Sequence, residues 1–419
     1  MPVWLQALRS GSWLGRERIR GYALVLLVIE LACFAFLAAG THGWIVQLER
    51  PTAGDFLSFY AAGRLANAGT AALAYDRAAH FAAEQAASAP GISYNFFYYP
   101  PVFLLVCAVF ARLPYLLAFV SFQLAQLVPC VVLVRRILGA VDGRAVPLWV
   151  LLAFPPVFWS FGLGQNAILT AALLAGGMLS IDRRPVLAGL LVGALCYKPH
   201  FGLLLPVALA AGSHWRAFAS AAASVAVLVV VSGLLFGWDT WQAFLAAAAG
   251  ADAVYAHKGA IDLAGLTSPF GLVLTLDGPR NLALAVQAVA ILATAAAVAW
   301  VWWRGFPLPV RAAVLLAAIP IAVPIVMFYD LMLSGIAFAW LVRAGWERGF
   351  PAWQKSAFLL LFVFALLSGN IGPGQVLMPP AAAALVFALA LRQACLPVRH
   401  IAGSQGTLLT PVQGVTDRS

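Results

Sequence analysis

Apolar residues run for one to two dozen positions at a time along almost the whole chain, punctuated by short turns of Gly, Pro and charged residues. A bilayer core about 30 Å thick takes about 20 apolar residues per helix, with 17–25 the usual range. On that measure the pattern predicts spans near 22–39, 115–134, 146–162, 165–181, 185–197, 200–212, 216–237, 281–303, 311–328, 330–342, 356–370 and 375–391. Several are short, so their ends reach into the interface or the bilayer thins around them. The stretch Pro100–Ala111 is shorter still and suits a re-entrant or interfacial segment. Two interruptions, 40–97 and 238–280, far exceed the roughly 15 residues beyond which loops are usually functional or disordered. Neither has the composition of disorder. Within the first, 58–69 and 76–88 read as short amphipathic helices lying on the membrane surface, and Gly69 ends the first of them. The second carries Trp238, Trp241, Phe244 and Tyr255, residue types that favour the membrane–water interface.

Composition sharpens this picture. Of 419 residues, 63% are apolar and 10% charged, against about 45–50% and about 25% in a soluble domain. A single soluble core stops growing near 250–300 residues and cannot hide so much hydrocarbon. A soluble enzyme, a nucleic-acid binder and a disordered chain are all excluded. The expected fold class is an all-α polytopic membrane protein with about 11–13 transmembrane helices. The excess of 25 Lys and Arg over 15 Asp and Glu then speaks about topology, because basic residues gather in cytoplasmic loops. Arg9, Arg16, Arg18 and Arg20 place the amino terminus inside, and the clusters at 135–144, 183–184, 216, 304–311, 343–355 and 392–399 want the same side. This holds if 98–136 crosses once. Residues 1–21 are then a cytoplasmic amino terminus, 22–395 the membrane domain and 396–419 a polar, disordered cytoplasmic tail. No small-residue cleavage site follows the first span, which is read as permanent. The five cysteines form no Cys-x-x-Cys pair and read as small buried hydrophobes, without disulfide or zinc site.

Charge counting collects the unusual polar motifs on the outer face: Gly54–Asp55–Phe56, Tyr98–Tyr99–Pro100–Pro101, Gly164–Gln165–Asn166, Tyr197–Lys198–Pro199–His200, Thr267–Ser268–Pro269, Tyr329–Asp330 and Gly369–Asn370. Asp55 reads as a general base at a helix start, or as a first-turn carboxylate stabilising that helix. Lys198 and His200 flank Pro199 between two apolar segments, where a Lys needs an anion such as phosphate or else snorkels to the interface. Gln165 and Asn166 suit hydrogen bonding to sugar hydroxyls, or capping of the next span. Asp330 is a site acid or a solvated loop acid. Arg64 would pair Asp55 or meet a phosphate. Glu30 is the only acid deep in an apolar run, a position that suits an ion path. The chain has no zinc-ligand spacing, phosphate loop or nucleophile elbow. A group-transfer enzyme of this kind would need a donor already in the membrane.

Gly54-Asp55-Phe56-x-x-Phe-Tyr60-x-Ala62-Gly63-Arg64, Tyr75-Asp76, Tyr99-Pro100-Pro101, Gly164-Gln165-Asn166 and Lys198-Pro199-His200 together resemble the signature of glycosyltransferase family 87. The likeness runs over about residues 20–345. It implies an integral-membrane enzyme of the GT-C type that moves a hexose, typically mannose, from a polyprenyl phosphate with inversion. The acceptor would be a lipid or glycan at the outer or periplasmic face of the plasma membrane. It also implies Asp55 as general base and membrane lipids as partners, and it assigns no cofactor and leaves a divalent metal open; nucleic acid is already excluded by composition. Lys198 would offset the phosphate charge, with His200, Lys258 and Arg280 as lesser candidates, and Tyr99 would belong to the substrate site. A secondary transporter or lipid-linked-sugar flippase is the alternative. It would account for Glu30 and the broken Lys198 region, but the chain lacks the internal repeat that builds many transporters.

Overall fold

The computed structural model describes residues 1–39, 54–141, 144–256, 263–369 and 376–396. Lys258, Asn370 and the polar tail from residue 397 lie outside them. The helices run in chain order as α1 (Val3–Ser10), α2 (Arg16–Ala39), α3 (Gly54–Asn67), α4 (Arg77–Ala87), α5 (Leu104–Phe110) and α6 (Tyr115–Leu138). Then follow α7 (Leu148–Leu152), α8 (Pro155–Leu163), α9 (Ala167–Ser180), α10 (Pro185–Gly193), α11 (Leu205–Ala211), α12 (Trp215–Phe236) and α13 (Trp238–Ala256). The chain continues with α14 (Pro269–Thr275), α15 (Arg280–Trp303), α16 (Leu308–Ala322), α17 (Met332–Arg348), α18 (Gln354–Leu367) and α19 (Met378–Ala394). The all-α expectation holds. Among the described residues the β features are a two-residue antiparallel pair, Ala140–Val141 with Arg144–Ala145, and an isolated bridge between Leu266 and Met327.

Each predicted span meets a helix, but prolines cut several of them. A proline has no N–H to give and clashes with the preceding turn, so 146–162 divides into α7 and α8 ahead of Pro155. The pair 185–197 and 200–212 becomes short helices joined by 3₁₀ turns around Pro199. By length and apolar character α6, α12 and α15 can each cross a membrane. Their outward faces are bare hydrocarbon, with Val128 at 58%, Leu234 at 74% and Leu292 at 71% exposure. Exposed apolar area on this scale marks a surface meant for lipid. By contrast α16 is buried from Pro309 to Pro320 at all but one position, Arg311, and forms the centre against α15, α17 and α19.

The surface placement of 58–69 is corrected. Its helix starts earlier, at Gly54, and is buried from Phe56 to Gly63, because α5 packs across it. A Cβ on Gly63 would overlap the Cys107 carbonyl, so only glycine permits that crossing. The segment Pro101–Phe110 reaches only about 15 Å as helix and stays with α3. Its following turn is held there by Tyr60, whose hydroxyl donates to the Leu113 carbonyl at 3.0 Å.

The basic clusters gather at the other end. Arg311 holds Asp182 at 3.0 Å and His214 at 3.0 Å. Gly139 abuts the Arg343 guanidinium, the Trp13 indole donates to Ser356 at 3.1 Å, and Arg392 donates to the Ala352 carbonyl at 2.7 Å. One end of the bundle is therefore basic, and the other carries the polar motifs.

Candidate active site

Asp55 sits in the first turn of α3, held against the start of α9. Phe56 packs edge-on to Tyr115 and Phe119, with ring centroids 5.5 Å apart in each case. The approach depends on Gly164, which ends α8 at φ 74° and whose added Cβ would overlap Phe56. Glycine alone enters that left-handed region freely, so the Gly164–Gln165–Asn166 motif begins with a backbone requirement. Gln165 then hydrogen-bonds the half-buried Asp55 carboxylate, and its Oε1 accepts the Asn166 N–H at 3.2 Å. The Tyr99 hydroxyl lies 3.5 Å from the same oxygen. Asn166 occupies the cap position of α9 but makes no capping bond with its side chain. Its carboxamide instead neighbours the Tyr99 phenol.

Two glutamines that the sequence reading passed over hold this break. Gln123 donates to the Phe161 carbonyl at 2.8 Å, and Gln126 donates to the Gln165 carbonyl at 3.0 Å while accepting the Leu169 N–H at 2.9 Å. Both are buried on α6 and hydrogen-bonded to each other. They satisfy backbone groups that the α8–α9 interruption frees, which inside a membrane protein have no water to turn to. A pair of amides at i and i+3 in an apolar span was the available signal.

Lys198 is 4% exposed and its anion is a side chain: Nζ donates to Asp330 Oδ1 at 2.9 Å. Asp330, also 4% exposed, is thus a buried ion-pair partner and not a solvated loop acid. The rings of Phe201, Tyr329 and Tyr99 surround the ammonium at 5.2, 5.8 and 6.0 Å, within cation–π range. Tyr197, next in the chain, hydrogen-bonds Thr170 at 2.6 Å and stacks on Phe103 at 5.2 Å.

Asp330 reaches the cluster through a second proline break. Pro324 cannot donate to the Pro320 carbonyl, and the Thr267 hydroxyl takes that acceptor at 3.0 Å. Thr267 N–H adds a bond to Val326 at 2.8 Å, Ser268 donates to the Pro324 carbonyl, and Gln287 donates to Ile321 and Ala322 at 3.0 and 2.8 Å. Thr267 and Ser268 thus dock the turn that carries Asp330.

The structure brings Asp55, Tyr99, Gln165, Asn166, Lys198 and Asp330 together. Three other expected residues are exposed. Arg64 is exposed in the last turn of α3, nine residues and about 13 Å along the helix from Asp55. His200, just beyond Pro199, is exposed yet stands in the field of Lys198, and Arg280 is exposed at the start of α15. The groups acting on Asp55 are Gln165, Lys198 and Asp330. Burial pushes its carboxyl up to about 6; the Gln165 hydrogen bond and the Lys198 charge pull back, while Asp330 adds to the rise. Behind α3, His80 and Glu84 are fully buried, and His80 Nε2 meets the Ser58 carbonyl at 3.1 Å. Burial lowers His80 to about 4 and raises Glu84 to about 8, favouring the neutral form of each. That carbonyl can only accept, so Nε2 carries the proton. Glu30 is buried on α2 with neither carboxylate oxygen hydrogen-bonded. Among the described residues no group of three or more His, Cys, Asp or Glu is placed to hold a metal ion.

The family model for glycosyltransferase family 87 matches residues 97–324. That span holds Tyr99, Gln165, Asn166 and Lys198, with Asp55 and Asp330 beyond its two ends. No curated protein and no solved structure matches the chain.

Proposed function

This chain belongs to glycosyltransferase family 87, and from that premise we propose that it transfers a hexose, mannose first among the candidates, from a polyprenyl phosphate to a lipid or glycan hydroxyl. The observation that carries the proposal is Asp55: a half-buried carboxylate raised to about 6, oriented by Gln165 and standing in the field of Lys198. A base with a pKa near the working pH is ionised and still basic enough to accept a proton in the transition state.

Asp55 takes the proton of the acceptor hydroxyl as its oxygen attacks the anomeric carbon. The bond from that carbon to the phosphate oxygen breaks on the opposite face, and the polyprenyl phosphate leaves with the electron pair. One carboxylate suffices, because no sugar–enzyme bond forms. Lys198 has three N–H donors and gives one to Asp330. The remaining two are what it offers the departing phosphate. Gln165, Asn166 and Tyr99 supply neutral hydrogen-bonding groups for sugar hydroxyls. The polar end of the bundle, following the charge distribution, faces outward across the plasma membrane.

The test is an in vitro assay of the purified full chain with polyprenyl-phosphate-mannose and candidate acceptors. Transfer with inverted anomeric configuration supports the proposal. Retained configuration, or use of a nucleotide sugar in its place, overturns it.

A further inference from the structure

At the basic end of the bundle, away from Asp55, a cavity of about 960 Å³ opens between α2, α6, α17 and α18. This is the upper end of the size of small-ligand sites, roughly 300–1,000 Å³. Hydrocarbon from residues such as Leu127, Ile336 and Phe362 makes its walls, and it extends to Met332 at the start of α17. Its rim differs sharply. Arg16, Arg20, Arg343 and Lys355 stand there against one acid, Glu347, which is ion-paired with Arg343. Tyr22 and Trp346 are there too, 50% and 38% exposed, residue types enriched where bilayer meets water.

We propose that this cavity binds an anionic phospholipid from the leaflet at the basic end, with acyl chain in the cavity and headgroup phosphate on Arg20, Arg343 and Lys355. The apolar walls select hydrocarbon and the net positive rim selects an anion, and an anionic lipid carries both in one molecule. The carboxy-terminal residues are a poorer occupant. The chain passes close by, since Arg348 donates to the Leu396 carbonyl at 3.4 Å, but residues 397–419 carry Arg399 and Arg418 against Asp417 alone. With no net negative charge they do not complement the rim. The donor lipid proposed for transfer belongs elsewhere, because α6 separates Tyr115, beside Phe56, from Arg135 by about 30 Å. The headgroup site therefore stands apart from the transfer chemistry, although the apolar end of the cavity reaches Met332, two residues from Asp330.

The experiment titrates the full chain, purified in neutral detergent, with phosphatidylglycerol, phosphatidylcholine, inorganic phosphate and a polyprenyl phosphate, reading the thermal midpoint. Phosphatidylglycerol is expected to raise it, with the others giving little. The Arg20→Gln/Arg343→Gln pair should weaken the phosphatidylglycerol response by about tenfold or more, and Arg343→Lys should keep most of it. Ala339→Phe fills the cavity without changing charge and should abolish the response, which decides the matter if the double variant folds poorly. An equal response to phosphatidylcholine, a full response to inorganic phosphate, preference for the polyprenyl phosphate, or a phosphatidylglycerol response unchanged in the variants would each overturn the proposal.

Discussion

At Asp55 the proposed catalysis and folding stability pull in opposite directions. Its folded-state pKa of about 6 lies above the ordinary 3.8, so the folded chain binds more protons than the unfolded one between those values. Folding stability from this group is then fully present below about pH 4 and is lost as pH rises through about 6. Asp55→Asn should abolish transfer, a loss of about 10²-fold or more, while leaving the protein at least as stable at pH 7. A helix-stabilising carboxylate predicts the reverse, with stability falling by roughly 1 kcal/mol and turnover surviving; activity and thermal midpoint measured side by side separate the two. In wild type, kcat/KM should rise with pH through about 6 and level off above it, and a profile flat from pH 5 to 8 would remove Asp55 as the base. Lys198 behaves differently, because its removal strands Asp330. Lys198→Met should cost about 3–5 kcal/mol, the usual effect of leaving a buried charge unpaired. Lys198→Met/Asp330→Leu should recover folding without recovering turnover. If the double variant regains both, the pair is structural.

At the scale of the element, broken helices are held by side chains from neighbours. Gln126→Leu removes both partners of the Gln165 carbonyl and Leu169 N–H, and should cost about 1–3 kcal/mol for each buried group left unsatisfied. Because those groups flank the residue that orients Asp55, the variant should lose kcat more than donor KM, which steady-state kinetics on the folded fraction will show. The helices themselves were legible in sequence, since a run of apolar residues states its own length. So was most of the cluster: Asp55, Gln165, Asn166, Lys198 and Asp330 were each conspicuous as polar residues interrupting hydrocarbon. Their pairing was not legible. Lys198 and Asp330 are 132 residues apart, and charge pattern alone offered a phosphate as readily as a carboxylate. Arg64 misled because helical reach, not sequence proximity, decides what meets Asp55. Gln123 and Gln126 were hidden by lying inside a span that otherwise reads as plain lipid-facing helix.

Over the whole molecule, polar chemistry and basic charge occupy opposite ends, and α6, α9 and α17 each run from one to the other. With a single crossing between Tyr99 and Arg135, every later basic cluster falls opposite Asp55. In a cysteine-free background, Asp76→Cys should be labelled by an impermeant thiol reagent on intact cells and Arg184→Cys should be protected. The opposite result would place Asp55 inside and withdraw an outward-facing reaction.

The way Pro320 and Pro324 are accommodated also has a bearing on biogenesis. The carbonyl that Pro324 cannot serve is taken by Thr267, 53 residues earlier, and the next two are taken by Gln287. Synthesis proceeds from the amino terminus at about 5–20 residues per second, so both donor side chains have already been made when the proline break is made. The order of residues along the chain thus doubles as an assembly schedule. A circular permutant that translated α16 and α17 before Thr267 would expose bare carbonyls to lipid for seconds, long enough for a quality-control protease to act.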